Sequence, residues 1–112
     1  KLDTYEITKK GSSVAILGLG TFYENAVKAA DILKTSHGID ATVINPYYIS
    51  GIDADTLNEL KKDHAVVATL EDGYLEGGFG AKIAAFYGSS DMKVLNFGIK
   101  KEFIDRYDAS EV

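Results

Sequence analysis

Residues 66–84 read VVATLEDGYLEGGFGAKIA, and this stretch decides the fold class. Its first five residues are a short apolar run rich in β-branched side chains, which is typical of a buried strand. An acidic, glycine-rich loop follows, and apolar residues then recur at helical spacing at Phe79, Ile83 and Phe86. A helix that begins among glycines brings its first N–H groups close to the strand end, where they can meet an anion, a partner chain or their own loop.

Length and composition narrow the class of protein. The chain has 112 residues with 46% hydrophobic content, enough for one domain with a real core. It has no cysteine, which excludes disulfides and thiolate chemistry and fits a reducing cytoplasm. The net charge of −5 argues against a nucleic-acid partner. No apolar run is long enough to cross a membrane, and no signal peptide is visible. Because the sequence begins at Lys1, we expect a fragment of a longer protein.

Strand and helix patterns alternate along the whole chain. Apolar, β-branched runs predict five strands, at residues 5–9, 14–17, 41–44, 65–70 and 93–97. Thr21 with Glu24 has the pattern of a capping box for a helix whose buried face carries Phe22, Ala26, Ala29 and Leu33. Asp53 is the predicted cap of a second helix, on which Ile52 and Leu57 have the spacing of a hydrophobic staple. A third helix follows the glycines, and residues 102–107 are predicted as a last short helix.

This order predicts a single three-layer α/β/α domain. Helices between successive strands imply right-handed crossovers and a parallel sheet covered on both faces. The first strand is the exception, because residues 10–13 are too few for a crossover. It should therefore run antiparallel, at an edge of a mixed five-stranded sheet.

Several residues could carry chemistry, and each has a structural alternative. Gly18-Leu19-Gly20 lies where a dinucleotide fingerprint would, but Tyr23 replaces its third glycine, which favours a tight turn without nucleotide. Glu71, Asp72 and Glu76 could act as acid–base groups or cation ligands, although a solvated acidic loop is the simpler interpretation. For Glu71, at the strand end, we expect hydrogen bonds from loop amides. His37 and His64 lie in no nucleophile pattern and are assigned structural roles.

Aromatic residues collect just after the predicted strands. They are Phe22, Tyr23, Tyr47, Tyr48 and Tyr74. The carboxyl edge of a parallel sheet is where ligands bind and where neighbouring domains pack. Tyrosine is suited to a partly solvated interface. Packing of these aromatic residues in the core under the loops is an equal alternative.

The motifs, in this order, resemble the C-terminal domain of transketolase-like thiamine-diphosphate enzymes. The residues that carry the resemblance are Val14–Thr21, Ile39–Asn45, Gly51-Ile52-Asp53, His64 to Asp72, Gly77–Gly80, Leu95–Ile99 and Phe103-Ile104. Within that group the glycine-rich block and the Asn96 strand are most similar to 1-deoxy-D-xylulose-5-phosphate synthases. A transketolase C-terminal half and a keto-acid dehydrogenase β subunit remain alternatives, and so does a free-standing small-molecule binding domain.

The resemblance implies strand order 1-3-2-4-5 and a supporting role. Thiamine diphosphate and Mg²⁺ would be bound by preceding domains of a homodimeric parent enzyme, so no catalytic, cofactor-binding or metal-binding residue is expected in this chain. The second strand then lies at a switch point of the sheet, which predicts a crevice or interface there. We assign to it Gly18, Gly20, Thr21, Phe22, Glu71, Tyr74, Gly77, Gly78 and Gly80. Phe22 and Tyr74 should stand at its rim, and Gly78 should allow a close backbone approach.

Overall fold

The computed structural model describes residues 4–74 and 78–100. The helices and strands follow the predicted alternation, and the strand bounds differ from the predicted ones by at most two residues. Five strands, β1 to β5, span Glu6–Lys9, Ser13–Gly18, Thr42–Asn45, His64–Asp72 and Lys93–Ile99. Three α-helices, α1 to α3, span Tyr23–His37, Ala54–Leu60 and Phe79–Tyr87, and a 3-10 turn at Gly20–Phe22 precedes α1. The helix predicted at residues 102–107 lies outside the described residues.

The sheet has the predicted order and directions. The strands are arranged β1-β3-β2-β4-β5. β1 pairs antiparallel with β3, and every other pairing is parallel. The β1 register shifts between Ile7 and Lys9, so a bulge interrupts this edge. β2 is the central strand: Ile16 pairs with Val43 on one side and with Ala68 on the other.

Two apolar clusters fill the two sides of the sheet, because alternate residues of a strand point to opposite faces. On one face Leu17, Ile44 and Val67 pack against α2 and α3, which contribute Leu57 and Ile83. On the other face α1 packs over β2 and β3. This second cluster comprises Ile16, Phe22, Ala26, Ala30, Ala41, Val43 and Leu70. The helices therefore make the outer layers of a three-layer domain, as predicted.

The two predicted helix caps have different outcomes. Asp53 is the N-cap of α2, and its Oδ1 accepts a hydrogen bond from the Thr56 backbone N–H at 3.3 Å. Its Oδ2 also accepts from the Tyr5 N–H at 2.7 Å, which ties the entry of β1 to α2. The prediction for Thr21 is wrong: Phe22 is the N-cap of α1, without a side-chain cap bond. The 3-10 turn places Thr21 one position too early to cap α1.

Both histidines have structural surroundings, as predicted. His64 is buried, and its Nε2 lies 2.7 Å from Thr42 Oγ1. The same Thr42 oxygen accepts the Gly11 N–H at 2.8 Å, while His64 Nδ1 lies 2.7 Å from Asp63 Oδ1. This network joins β3, β4 and the β1–β2 turn at the amino edge of the sheet. His37 ends α1, where a cation is favourable to the helix dipole.

Candidate functional site: the carboxyl edge of the sheet

The topology places a switch point beside β2. The chain leaves β2 through α1 towards β3, whereas it leaves β4 through α3 towards β5. The two connections therefore diverge above the carboxyl ends of β2 and β4, where an open α/β sheet opens a crevice. The residues at this point are the glycine turn after β2 and the Glu71 segment of β4.

The glycine turn closes the crevice with backbone contacts. Leu19 donates its N–H to the Leu70 carbonyl at 3.0 Å, and Gly20 donates to the Tyr47 carbonyl at 2.6 Å. A Cβ on Gly18 would lie 2.3 Å from the carbonyl oxygen of Phe22. Gly20 has a φ of +60°, a backbone conformation that glycine adopts without strain. Both glycines are thus required by the tight strand-to-helix turn, in agreement with the sequence interpretation.

Phe22 occupies a different place from that predicted. Phe22 is only 7% exposed and belongs to the α1 core cluster, so it is not at a rim. Phe22 is the last residue of the 3-10 turn and the N-cap of α1, and its ring packs with the α1 residues Ala26 and Ala30. Thr21 is exposed and faces the pocket described below.

Glu71 holds the start of α3, which confirms its predicted bonding to loop amides. Its Oε1 accepts the Phe79 N–H at 3.1 Å and its Oε2 accepts the Gly80 N–H at 2.8 Å. A carboxylate that accepts the first N–H groups of a helix also meets the positive end of the helix dipole. The anion bound at the start of α3 is therefore the Glu71 carboxylate of the domain itself.

The close approach that we predicted for Gly78 lies at Gly80 instead. Within the described part of the chain no atom is within 4 Å of a Cβ placed on Gly78, and its φ is −85°. The same construction on Gly80 meets Glu71 Oε2 and the Asn96 amide, each at 2.8 Å. Asn96 is fixed in turn, because its Oδ1 accepts from Thr69 Oγ1 at 2.7 Å. Gly77, the remaining predicted glycine, and Glu76 lie outside the described residues.

Tyr74 lies at the edge of the sheet beside β5. Its side chain is 48% exposed, and its backbone N–H donates to Asp72 Oδ1 at 2.9 Å. The Lys100 ammonium lies 5.3 Å from the centre of its ring, within cation–π distance. Tyr74 is thus an exposed aromatic residue of this edge, and its place at the rim of a crevice stays a prediction.

One concavity at this edge was not predicted from the sequence. An open pocket of about 400 Å³ lies between the ends of β2 and β3. Its lining is Gly20, Thr21, Tyr23, Glu24, Asn45, Tyr47 and Tyr48. The sequence predicts these tyrosines at the edge, but it does not reveal that they surround a pocket. The paired tyrosines after Asn45-Pro46 were the available signal.

Hydrogen bonds fix two of the pocket tyrosines. Tyr47 has a φ of +59°, and its N–H donates to Asn45 Oδ1 at 2.8 Å. Its hydroxyl donates to Glu6, and this hydrogen bond to a carboxylate raises the pKa of Tyr47. The Tyr23 hydroxyl donates to Thr8 Oγ1 at 2.8 Å. Tyr48 is different, because 77% of its surface is exposed while its ring edge lies against Gly20.

These groups offer recognition but little chemistry. Among residues 4–74 and 78–100 no group of three or more histidine, aspartate or glutamate side chains is placed to hold a metal ion. At the described positions of the two glycine segments a diphosphate would meet groups of the domain itself. The Phe22 carbonyl fills the space beside Gly18, and the Glu71 carboxylate already accepts the first amides of α3. None of the described helices is long and apolar enough to span a membrane.

The sequence of this α/β domain matches a known protein family over nearly its whole length. The family described as "Transketolase, C-terminal domain" matches residues 3–112. The chain therefore belongs to the transketolase C-terminal domain family.

Its similar proteins include 1-deoxy-D-xylulose-5-phosphate synthases. That of Pseudoalteromonas translucida is 39% identical over 101 residues, which are 88% of this chain and 15% of the relative. That of Clostridium acetobutylicum is 39% identical over 102 residues, covering 89% of this chain and 16% of the relative. The chain is thus a domain that resembles C-terminal regions of these synthases and spans about one sixth of their length.

A solved structure supports the fold alone. The chain named "Split gene transketolase, inactive beta4 tetramer" matches with a TM-score of 0.74 and 23% sequence identity. The match covers 96% of this chain and 37% of that chain.

Proposed function

We propose that this chain is the C-terminal assembly domain of a thiamine-diphosphate-dependent transferase of the 1-deoxy-D-xylulose-5-phosphate synthase type. The parent would be a cytoplasmic homodimer that condenses pyruvate with glyceraldehyde 3-phosphate and releases CO₂. The observation that carries the proposal is the family match over residues 3–112, together with synthases that extend far beyond it. Thiamine diphosphate and Mg²⁺ would be bound by other domains of the parent.

The geometry of the edge supports a non-catalytic role for the domain. A phosphate site at a helix start needs N–H groups that no other acceptor occupies. Here Glu71 accepts the Phe79 and Gly80 N–H groups, so the start of α3 already binds a carboxylate of the domain itself. The carboxylate also adds negative charge where a diphosphate would have to approach. The domain therefore contributes packing surface instead of cofactor ligands.

The carboxyl edge is the surface that we assign to a neighbouring domain or subunit. Tyr47, Tyr48 and Tyr74 expose 48%, 77% and 48% of their surfaces there. Aromatic residues with polar ends are enriched in interfaces between proteins. Their hydroxyls can keep water contacts at the rim while the rings become buried.

Calorimetry on the isolated domain tests the cofactor assignment. Titration of the 112-residue chain with thiamine diphosphate and Mg²⁺ should give no heat of binding, and no CO₂ should be released from pyruvate. The full-length parent should release CO₂ from pyruvate when glyceraldehyde 3-phosphate is present. Micromolar binding of thiamine diphosphate to the isolated chain would contradict the cofactor assignment. A parent enzyme that releases no CO₂ would contradict the proposed reaction.

Aromatic substitutions test the interface. Tyr74→Ala and Tyr48→Ala should leave the isolated domain folded, since both side chains are largely exposed. In the parent they should weaken assembly, because truncated interface aromatics often cost more than 1 kcal/mol of binding. Circular dichroism of the domain and sedimentation of the parent measure the two effects. A Tyr74 variant that unfolds the domain yet leaves parent assembly intact would show that Tyr74 belongs to the core.

The pocket between β2 and β3 favours one second candidate, a small-molecule binding domain. Its volume of about 400 Å³ is in the range of ligand sites, and Tyr23, Tyr47 and Tyr48 line it. The length of the native reading frame distinguishes the candidates. A native protein of this length would favour the binding domain, whereas several hundred further residues would favour the synthase-type parent.

A further inference from the structure

Aromatic rings make up much of the wall of the pocket between β2 and β3. Tyr23, Tyr47 and Tyr48 line it, together with Glu24 and Asn45. Tyr47 and Tyr48 are 48% and 77% exposed, so both rings are accessible to a ligand. The face of a tyrosine ring has a partial negative charge that attracts organic cations. Three tyrosines around a space of about 400 Å³ therefore favour a cationic ligand.

Hydrogen bonds to β1 hold two of these rings in place. Glu6 accepts the Tyr47 hydroxyl, and Thr8 accepts the Tyr23 hydroxyl at 2.8 Å. The register of β1 skips Thr8, so Thr8 is the extra residue of the bulge, a feature that redirects a side chain. Neither Glu6 nor Thr8 lines the pocket. The hydroxyls of both tyrosines are thus engaged outside the pocket, and a ligand meets rings that are already ordered, which lowers the cost of binding.

Two carboxylates give the pocket a negative surrounding. Glu24 lines it, and Glu6 is bonded to one of its rings. Both side chains are exposed. Among residues 4–74 and 78–100 no lysine ammonium lies within 4 Å of either carboxylate. No cation of this part of the chain therefore forms an ion pair with them.

The start of α1 is the competing feature, because it would attract an anion. Its N-cap, Phe22, makes no side-chain cap bond, and the positive end of a helix is equivalent to about half an elementary charge. Glu24 lies in the first turn of α1 and supplies a full negative charge at the same place. Together with Glu6 it gives a negative charge about four times as large as that of the helix end. The balance of charge at the pocket thus favours a cation.

We propose that this pocket binds a guanidinium group, such as that of an arginine side chain. A guanidinium is planar, stacks on aromatic rings and is more weakly hydrated than an ammonium, so it is the cation best suited to the tyrosines. Glu24 accepts its N–H groups while the rings contact its faces. The proposal gives a ligand class to the second candidate function and rests on the pocket of that candidate. It does not depend on the synthase-type parent, which the thiamine diphosphate titration tests separately.

NMR signals of the tyrosine rings test the proposal in the 112-residue chain, since each ring reports on its own surroundings. The probe is N-acetyl-arginine amide, in which the guanidinium is the only charge. N-acetyl-citrulline amide is the matched control, because it has a similar shape without the charge. Tyr74 is the control within the chain: like Tyr47 it is 48% exposed, but Lys100 already lies 5.3 Å from its ring.

The arginine probe should shift the Tyr47 and Tyr48 signals with a Kd of about 10 mM, because single cation–π contacts and ion pairs at exposed sites are weak. The Tyr74 signal, and all signals in the citrulline titration, should stay unchanged. Tyr48→Ala and Glu24→Gln should each raise this Kd about three- to fivefold. Tyr48→Phe should leave it unchanged, since the ring is retained. Circular dichroism checks that the variants are folded.

Equal shifts with the arginine and citrulline probes, equal shifts at Tyr74 and Tyr48, or no shift with the arginine probe would overturn the proposal. Larger shifts of Tyr47 and Tyr48 with inorganic phosphate would also overturn it, in favour of an anion at the start of α1. In the parent enzyme the same titration distinguishes the source of the guanidinium. A site for a free ligand still binds the probe there, whereas a pocket filled by an arginine of a neighbouring domain does not.

Discussion

Gly18→Ala is the substitution for which the structure predicts the largest effect at the carboxyl edge. The new Cβ would lie 2.3 Å from the Phe22 carbonyl oxygen and 2.7 Å from the Tyr23 Cα, both of them backbone atoms. Contact at van der Waals distance would need a shift of about 1 Å in the turn. A rotamer change cannot relieve this clash, because no flexible side chain is involved.

The expected destabilisation combines two effects. Overpacking costs about 1–3 kcal/mol. The shift also strains the hydrogen bonds from Leu19 N–H to the Leu70 carbonyl and from Gly20 N–H to the Tyr47 carbonyl, each worth about 1 kcal/mol. We expect a loss of about 3 kcal/mol in the free energy of unfolding. In urea this lowers the midpoint by about 2 M, if the slope is about 1.5 kcal/mol per M.

Gly78→Ala is the matched control. Its φ of −85° suits alanine, and no described atom would contact the new methyl group. We expect a change of at most about 0.5 kcal/mol. Urea unfolding followed by circular dichroism measures both variants. If Gly18→Ala is as stable as the native chain, or if Gly78→Ala loses as much as Gly18→Ala, the close-approach argument is wrong.

Three further predictions concern capping and titration. Asp53→Ala should lower the free energy of unfolding in urea by about 2–4 kcal/mol, because it removes the cap of α2 and the acceptor of the Tyr5 N–H. A loss below about 1 kcal/mol would contradict this. Glu71→Gln should cost about 1–2 kcal/mol, because one of the two accepting oxygens becomes a donor, and a neutral result would show that α3 needs no carboxylate. Burial raises the pKa of Tyr5 from 10.0 to about 12, so the neutral phenol is favoured in the folded state. The contribution of Tyr5 to the free energy of unfolding should be constant below pH 10 and should fall by about 2–3 kcal/mol as the pH rises towards 12. Unfolding of the native chain and of Tyr5→Phe at alkaline pH measures this difference.

The fold could be predicted because its signals are local and consistent. Apolar β-branched runs gave the five strands, and the short connection before Ser13 determined the antiparallel direction of β1. Asp53 followed from the capping pattern alone. The strand order came from the family resemblance, since strand patterns do not record which strands are neighbours.

The details of the edge could not be predicted because they depend on backbone geometry. The capping-box pattern at Thr21 contains no information on the backbone angles of Gly20, which has a positive φ and begins a 3-10 turn. Among successive glycines, only the three-dimensional positions of Glu71 and Asn96 distinguish Gly80 from Gly78. The pocket between β2 and β3 is lined by Tyr47, and the sequence does not show that Tyr47 has a positive φ, a conformation for which glycine would be the usual residue.

The central position of β2 has a consequence for how the chain folds. Ile16 has to pair with Val43 and with Ala68, both far along the sequence, and a helix must be placed before each pairing. Closing such long loops before the contacts form slows folding, and mixed α/β domains fold more slowly than helical bundles. During synthesis β2 leaves the ribosome well before β4 does, so the edge of β2 that pairs with β4 is unpaired during this time. Rapid pairing of β2, α1 and β3 as a first unit would shield the other edge, and the nucleus of folding should lie there.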